Sequence, residues 1–142
     1  MSKRSKSGAA PLTKSNYEAL AGFRYALRAF LAFSVTAASE AGLSPQQHQA
    51  LLAIKGARGR DSLSIQDIAA RLMVRHHSAV ELVNRLEKLG LAKRARDALD
   101  GRRVQVLLTQ KAEHLLQALS IAHLRELRGI RPALVALLEQ FN

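Results

Sequence analysis

Between Ser64 and Thr109 the apolar pattern changes period twice, and few folds accept a chain that carries it. Ile65, Ile68, Ala69 and Leu72 recur at i, i+3, i+4 and i+7, which places them on one face of a short helix with Ser64 as its N-cap. A second helical pattern spans residues 75–89, and Gly90 supplies a left-handed stop behind it. The period then shortens to that of strands at residues 93–96 and 104–108, with Asp100-Gly101 as the turn signal. The intervening loop is longer than a tight hairpin and can project as a wing. A helix pair followed by a basic ribbon is a device for entering duplex DNA.

The second helix divides cleanly. Ala79, Val83 and Leu86 share one side, with Leu82 and Leu89 at its edge, and all five are expected to be buried. His77, Glu81, Asn84 and Lys88 lie opposite, flanked by Arg85. A major groove about 12 Å wide admits one helix, and these side chains suit base edges: Asn pairs with adenine, Arg with guanine, and Glu accepts from cytosine. His77 and Ser78 fall in the first turn, where backbone amides and the helix dipole favour phosphate. His76 and His77 are read as DNA contacts in preference to packed or merely exposed histidines. The wing adds Lys93, Arg94, Arg96, Arg102 and Arg103, and residues 71–103 hold nine Lys and Arg against four Asp and Glu, a net of +5. Taken alone, such a face is ordinary solvated surface. Its combination with a capped helix before it and a basic hairpin after it favours DNA.

The whole chain has 142 residues and a formal net charge of +11, so its partner is expected to be a polyanion. There is no cysteine, which excludes disulfides, thiolate metal sites, cysteine nucleophiles and thiol redox sensing. The five histidines, His48, His76, His77, His114 and His123, form no i, i+4 ligand pair, so neither a metal nor a cofactor is expected. No Gly-rich phosphate loop or nucleophile–base constellation points to an enzyme. The N-terminus lacks the apolar run of a secretory signal, and no segment approaches the roughly 18 apolar residues of a membrane span. A cytoplasmic location without membrane contact is the expectation.

Residues 1–14 are small, polar and basic and read as a disordered tail. From Asn16 to about Glu40 runs a long helical pattern with Leu20, Phe23, Leu27, Phe30 and Leu31, while Tyr25 projects opposite the stripe. Five of the six aromatic residues lie in it: Tyr17, Phe23, Tyr25, Phe30 and Phe33. So wide an apolar arc packs on two sides, one of them available to a second subunit. Ser44, Pro45 and Gln47 form a capping box with proline at the first helical position, and Leu51, Leu52 and Ile54 give that helix its apolar side. Leu63 is expected to add a single strand residue beside the hairpin. Thr109 caps a long final region with Leu115, Leu116, Leu119 and Leu127, which Pro132 is expected to break, opening a last helix with Leu134, Leu137, Leu138 and Phe141. The fold class is mainly α with a small β-wing, in the order α-α-α-α-β-β-α-α.

The stretch Leu82-Val83-Asn84-Arg85-Leu86-Glu87-Lys88-Leu89-Gly90-Leu91, followed by Arg94, Asp97, Asp100-Gly101-Arg102 and Leu108-Thr109, resembles the MarR family of winged helix-turn-helix regulators. Asn84 stands where that family has Asp, which removes a charge beside the groove. The resemblance implies one domain over residues 15–142: a winged helix-turn-helix at 44–109, flanked by dimerisation helices at 15–43 and 110–142. It implies a homodimer joined through residues such as Tyr17, Leu20, Tyr25, Leu127, Leu134 and Leu138. It also implies a recognition helix from Arg75 to Arg85 and a wing-tip Arg102 with Asp100 as its neighbour. Family members often take small aromatic effectors between the dimer helices and the winged lobe. Phe23, Phe30 and Phe33 are the candidate pocket walls here, although core or dimer contact is the stronger reading of those rings.

The function read from the sequence is a sequence-specific double-stranded DNA-binding transcriptional regulator. It is expected to act as a ligand-responsive repressor, a homodimer on a pseudo-palindromic operator. The competing readings are a winged module for protein–protein assembly and a non-specific architectural DNA-binding module.

Overall fold

A computed structural model describes residues 10–97, 99, 101 and 103–141. The element order is α1 (Lys14–Glu40), α2 (Pro45–Lys55), β1 (Ser62–Ser64), α3 (Ile65–Leu72), α4 (His76–Lys88), β2 (Ala92–Arg96), β3 (Val104–Leu108) and α5 (Gln110–Leu138), closed by a 3-10 turn at Glu139–Phe141. The architecture is mainly helical with a small antiparallel sheet.

Local side-chain chemistry sets most of the helix starts. At α1 the Thr13 hydroxyl accepts from the Asn16 amide at 3.2 Å, and Asn16 Oδ1 accepts in return from the Thr13 amide at 2.9 Å. The tail reading of residues 1–14 therefore ends too late, because Thr13 caps α1 and Lys14 opens it; residues 1–9 lie outside the described residues. Ser44 and Gln47 make the expected capping box at α2, with bonds of 2.9 and 3.1 Å. Ser64 caps α3 and Thr109 caps α5, each accepting from the backbone amide three residues on. Gly90 takes φ +71°, and the Leu91 amide reaches back to the Leu86 carbonyl at 2.9 Å, which closes α4 as a left-handed stop.

The sheet order is β1-β3-β2, all antiparallel. Leu63 pairs with Val106, and Arg94 pairs with Val106 from the other side. The expected single strand residue is thus a three-residue strand, and with the last helical region forming one helix the element order becomes α-α-β-α-α-β-β-α. The Asp97 amide donates to the Arg103 carbonyl at 2.8 Å, carrying the β2–β3 ladder to the base of the wing loop. Leu51, Ile54, Ile68, Val83, Leu86 and Val106 are fully enclosed, so α2, α3, α4 and β3 share one core.

Two burial expectations fail. Leu89 is 42% exposed because α4 ends at Lys88, so Leu89 caps the helix and leaves its buried stripe. Leu52 is 44% exposed because it borders a cavity instead of filling the core.

Pro132 does not break the last helix; α5 continues through it to Leu138. A proline inside a helix removes one amide and crowds the carbonyl four residues earlier, at a cost of about 3 kcal/mol. Packing along α1, the most extensive helix–helix interface in the chain, outweighs that cost. Asn16 Nδ2 donates to Gln140 Oε1 at 2.6 Å, pinning the start of α1 to the far end of the rod. The side chain of Phe141 lies outside the described residues.

The N-terminus of α5 is also stitched to the C-terminus of α4. The Thr109 hydroxyl donates to the Gly90 carbonyl at 2.6 Å, the Thr109 amide to the Leu91 carbonyl at 3.1 Å, and Lys111 Nζ to the Leu89 carbonyl at 2.9 Å. A shift of α5 relative to the core therefore bears directly on α4.

Candidate functional site

The α3–turn–α4 unit turns on Met73, which takes φ +56° as the C-cap of α3 while the Val74 amide bonds the Ala69 carbonyl at 3.0 Å. The chain then enters α4 through Arg75. Ala79, Leu82, Val83 and Leu86 of α4 are buried. His76, His77, Glu81, Asn84, Arg85 and Lys88 are exposed, and Ser78 is half-buried. The divided wheel read from the sequence is therefore the divided helix of the structure.

α4 differs from the other four α-helices among the described residues. Those begin under a side-chain cap, whereas Arg75, the N-cap of α4, makes no side-chain cap bond. Its first amides have no side chain assigned to them and face outward at the positive end of the helix dipole, a ready place for an anion. In the wing, Lys93, Arg96 and Arg103 are exposed. Arg102 and Asp100 lie outside the described residues.

Arg94 is placed differently. It is half-buried, forms an ion pair with Glu87, and donates through Nη2 to Asn84 Oδ1 at 2.9 Å. Its guanidinium thus spans β2 and α4 and orients both. Asn84 keeps its amide nitrogen as a donor while its oxygen is occupied. Glu87 belongs to the stretch that carries the family resemblance, but its pairing with Arg94 is not legible there, because the partner sits on another element and no local spacing announces the pair.

Behind this face, α1, α2 and α5 line a cavity of about 320 Å³ that is open on one side to solvent. Phe30, Leu31, Leu52, Leu124 and Leu127 give it apolar walls, and Ser34, His48, Gln49, Ser120 and His123 give it polar points. Of the three candidate pocket rings, Phe30 lines the cavity. Phe33 packs edge-on against His123, with ring centres 5.2 Å apart. Phe23 lies outside the lining, two helical turns before Phe30.

Sequence spacing does not reveal the two histidines at the cavity as a pair. Their rings are 4.8 Å apart, yet they come from α2 and α5, so no sequence period links them. His123 Nδ1 bonds the Leu119 carbonyl at 2.6 Å, and its Nε2 meets Ser34 Oγ at 2.8 Å. A carbonyl only accepts, so Nδ1 carries the hydrogen; in the neutral ring Nε2 accepts from Ser34. Among the described residues no group of three or more His, Asp or Glu side chains is arranged to hold a metal.

Burial lowers the pKa of His48 below the ordinary histidine value of 6.5, and the neighbouring His123 lowers it further. The unfolded chain then takes up a proton near 6.5 that the folded chain refuses. Stability is complete above that pH and is lost as the pH falls toward the folded-state pKa. Denaturant midpoints measured from about pH 7 to about pH 5 are expected to fall, and His48→Gln is expected to flatten the slope. An equally steep slope in the variant would assign the effect to other groups.

Fold and site together define a winged helix-turn-helix protein. Residues 41–103 match the model of the MarR family, so this segment is similar to the winged helix-turn-helix of that family. Its fold is similar to that of a MarR family protein from Bacillus stearothermophilus, at 20% identity and a TM-score of 0.72, over 85% of this chain and 82% of that one. It is similar to NadR in complex with 4-hydroxyphenylacetate, at 24% identity and a TM-score of 0.69, over 99% and 94% of the two chains. A MepR mutant from S. aureus bound to an oligodeoxyribonucleotide aligns at 21% identity and a TM-score of 0.66, over 93% of this chain and 100% of that one. Curated proteins give no match to the sequence. No helix among the described residues is long and apolar enough to cross a membrane.

Proposed function

We propose that the chain acts as a homodimeric, effector-responsive repressor that reads a pseudo-palindromic operator with α4. The observation that carries this reading is the α4 face itself: an uncapped start, an exposed row of base-matching side chains, and a basic wing beside it. Arg75, His76, His77 and Ser78 would meet phosphate at the start of the helix. Glu81, Asn84 and Arg85 would face base edges, and Lys93, Arg102 and Arg103 would extend the interface along the wing. Arg94 would act through Glu87 and Asn84 by setting the angle between helix and wing.

Dimerisation is supported by the apolar surface that α1 and α5 leave uncovered. Tyr17, Leu20, Tyr25 and Leu138 are 57%, 46%, 75% and 60% exposed, and Leu127 and Leu134 are half-buried beside them. Large apolar residues exposed in such number along two packed helices fit an interface. The oligonucleotide bound to MepR supports the DNA reading, and the 4-hydroxyphenylacetate bound to NadR supports an effector in the cavity among α1, α2 and α5. A ligand there could change operator affinity only by favouring one spacing of the two reading helices over another.

Selection of bound sequences from a random duplex pool tests the proposal. The expected product is an inverted repeat with half-site centres about one helical turn, 34–36 Å, apart. Enrichment of single, unpaired sites would remove the dimer from the reading, and no enrichment at all would leave an architectural role.

A further inference from the structure

The cavity among α1, α2 and α5 combines two imidazoles with an absence of any fixed charge. His48 is 2% exposed, yet it lines the cavity with His123. Around the pair, α1 presents Phe30, Phe33 and Ser34, α2 presents Gln49, and α5 presents the Leu119 carbonyl and Ser120. No Asp, Glu, Lys, Arg or Tyr side chain lines the cavity among the described residues. A proton on His48 would therefore be a buried charge without a counter-charge, one on the half-buried His123 would be only partly solvated, and two such protons would also repel each other across 4.8 Å. Conversely, an anion entering the cavity finds no permanent cation to meet it.

Each charge supplies what the other lacks. We propose that the cavity binds a small weak acid with an apolar body as its anion, together with one proton held by the His48–His123 pair. This rests on the effector reading above and adds to it a ligand charge and a linked proton. The volume of about 320 Å³ lies at the small end of ligand pockets. Phe30, Leu52, Leu124 and Leu127 would hold the apolar body.

The hydrogen bonds around His123 provide a route from the proton to the ligand. In the neutral ring, Nε2 accepts the Ser34 hydroxyl hydrogen. When Nε2 is protonated it becomes a donor to Ser34 Oγ, because Nδ1 already donates to the Leu119 carbonyl. The Ser34 hydroxyl hydrogen is then released toward another acceptor, and Ser34 lines the cavity. One proton thus converts Ser34 from a group satisfied by His123 into a donor free for a carboxylate. The proton comes from solvent and returns to solvent when the ligand leaves.

Calorimetry on the full chain, with sodium benzoate as the anionic probe and benzamide as the neutral one, tests this in two buffers of different ionisation enthalpy. Benzoate is expected to bind with uptake of about one proton, its affinity falling up to tenfold per pH unit above neutrality. Benzamide is expected to bind without uptake and with little dependence on pH. The same uptake would arise if benzoic acid bound in its neutral form, so a His48→Gln/His123→Gln double variant separates the two. Loss of proton uptake in that variant supports the pair, and retention overturns it. Because buried substitutions can disturb folding, the imidazole nitrogen shifts of the unmodified protein give a second reading. Benzoate should move one ring toward the imidazolium form at neutral pH, and unmoved shifts overturn the proposal. Benzoate binding without uptake, or benzamide binding alone, overturns the proton-linked anion and leaves the effector cavity in place. Binding of neither probe overturns both.

Discussion

Operator affinity is expected to fall by a factor of about 10³ to 10⁵ as salt rises from roughly 50 to 200 mM, the loss for a protein that neutralises 6–10 phosphates. The cations are placed to make such contacts. Arg75 precedes the uncapped start of α4, Arg85 and Lys88 lie along its exposed face, and Lys93, Arg96 and Arg103 are exposed on the wing. Not all of them need touch phosphate, because the two protomers of the proposed homodimer would double the count. Arg94 is excluded from it, since Glu87 and Asn84 already hold its guanidinium. Each neutralised phosphate adds about −0.9 to the slope of log affinity against log salt. Filter or fluorescence titrations on one duplex across a salt series measure that slope. A slope near zero would mean that the basic face does not meet the DNA backbone. Replacing Lys93 or Arg103 by alanine should make the slope shallower by about one for each protomer's phosphate left without its cation, nearly equally on specific and random duplex.

Replacing Leu86 by alanine is expected to destabilise the fold by about 2–5 kcal/mol, the range for a buried leucine reduced to a methyl group. Leu86 is completely enclosed, and its carbonyl accepts the Leu91 amide that closes α4. The vacated space would lie beneath α4, between it and the core that α2, α3 and β3 build. Denaturant midpoints at fixed protein concentration would register the loss, the concentration mattering because a dimer gains apparent stability by mass action. Leu89→Ala provides the contrast. That side chain is substantially exposed at the C-cap, so its truncation should cost far less. Equal costs at the two positions would contradict the burial pattern of α4.

The features behind these expectations are unequally visible in the sequence. The capping box of Ser44 and Gln47, the Ser64 cap and the Gly90 stop were legible because capping involves residues a few positions apart. The exposed face of α4 was legible for a related reason. A helix of 3.6 residues per turn assigns each side chain to a face, so burying Val83 and Leu86 necessarily exposes Asn84 and Arg85. Pro132 misled because its cost is local while its compensation, packing against α1, is not. Arg94 counted as a free cation in the sequence until β2 placed it beside Glu87 and Asn84. Phe23, Phe30 and Phe33 shared one helical segment, but only Phe30 reached the cavity wall, because the wall's position depends on where α2 and α5 cross α1.

By itself, the sequence determined the helix boundaries set by caps and stops, the buried and exposed sides of α4, and the basic hairpin that follows. All of these depend on neighbours within one or two turns, where backbone geometry leaves little choice. Only the tertiary structure decided the course of α5 through Pro132, the capture of Arg94, and the meeting of His48 with His123 around an uncharged cavity. Those outcomes depend on groups brought together from distant elements, and their energies exist only once the helices have packed.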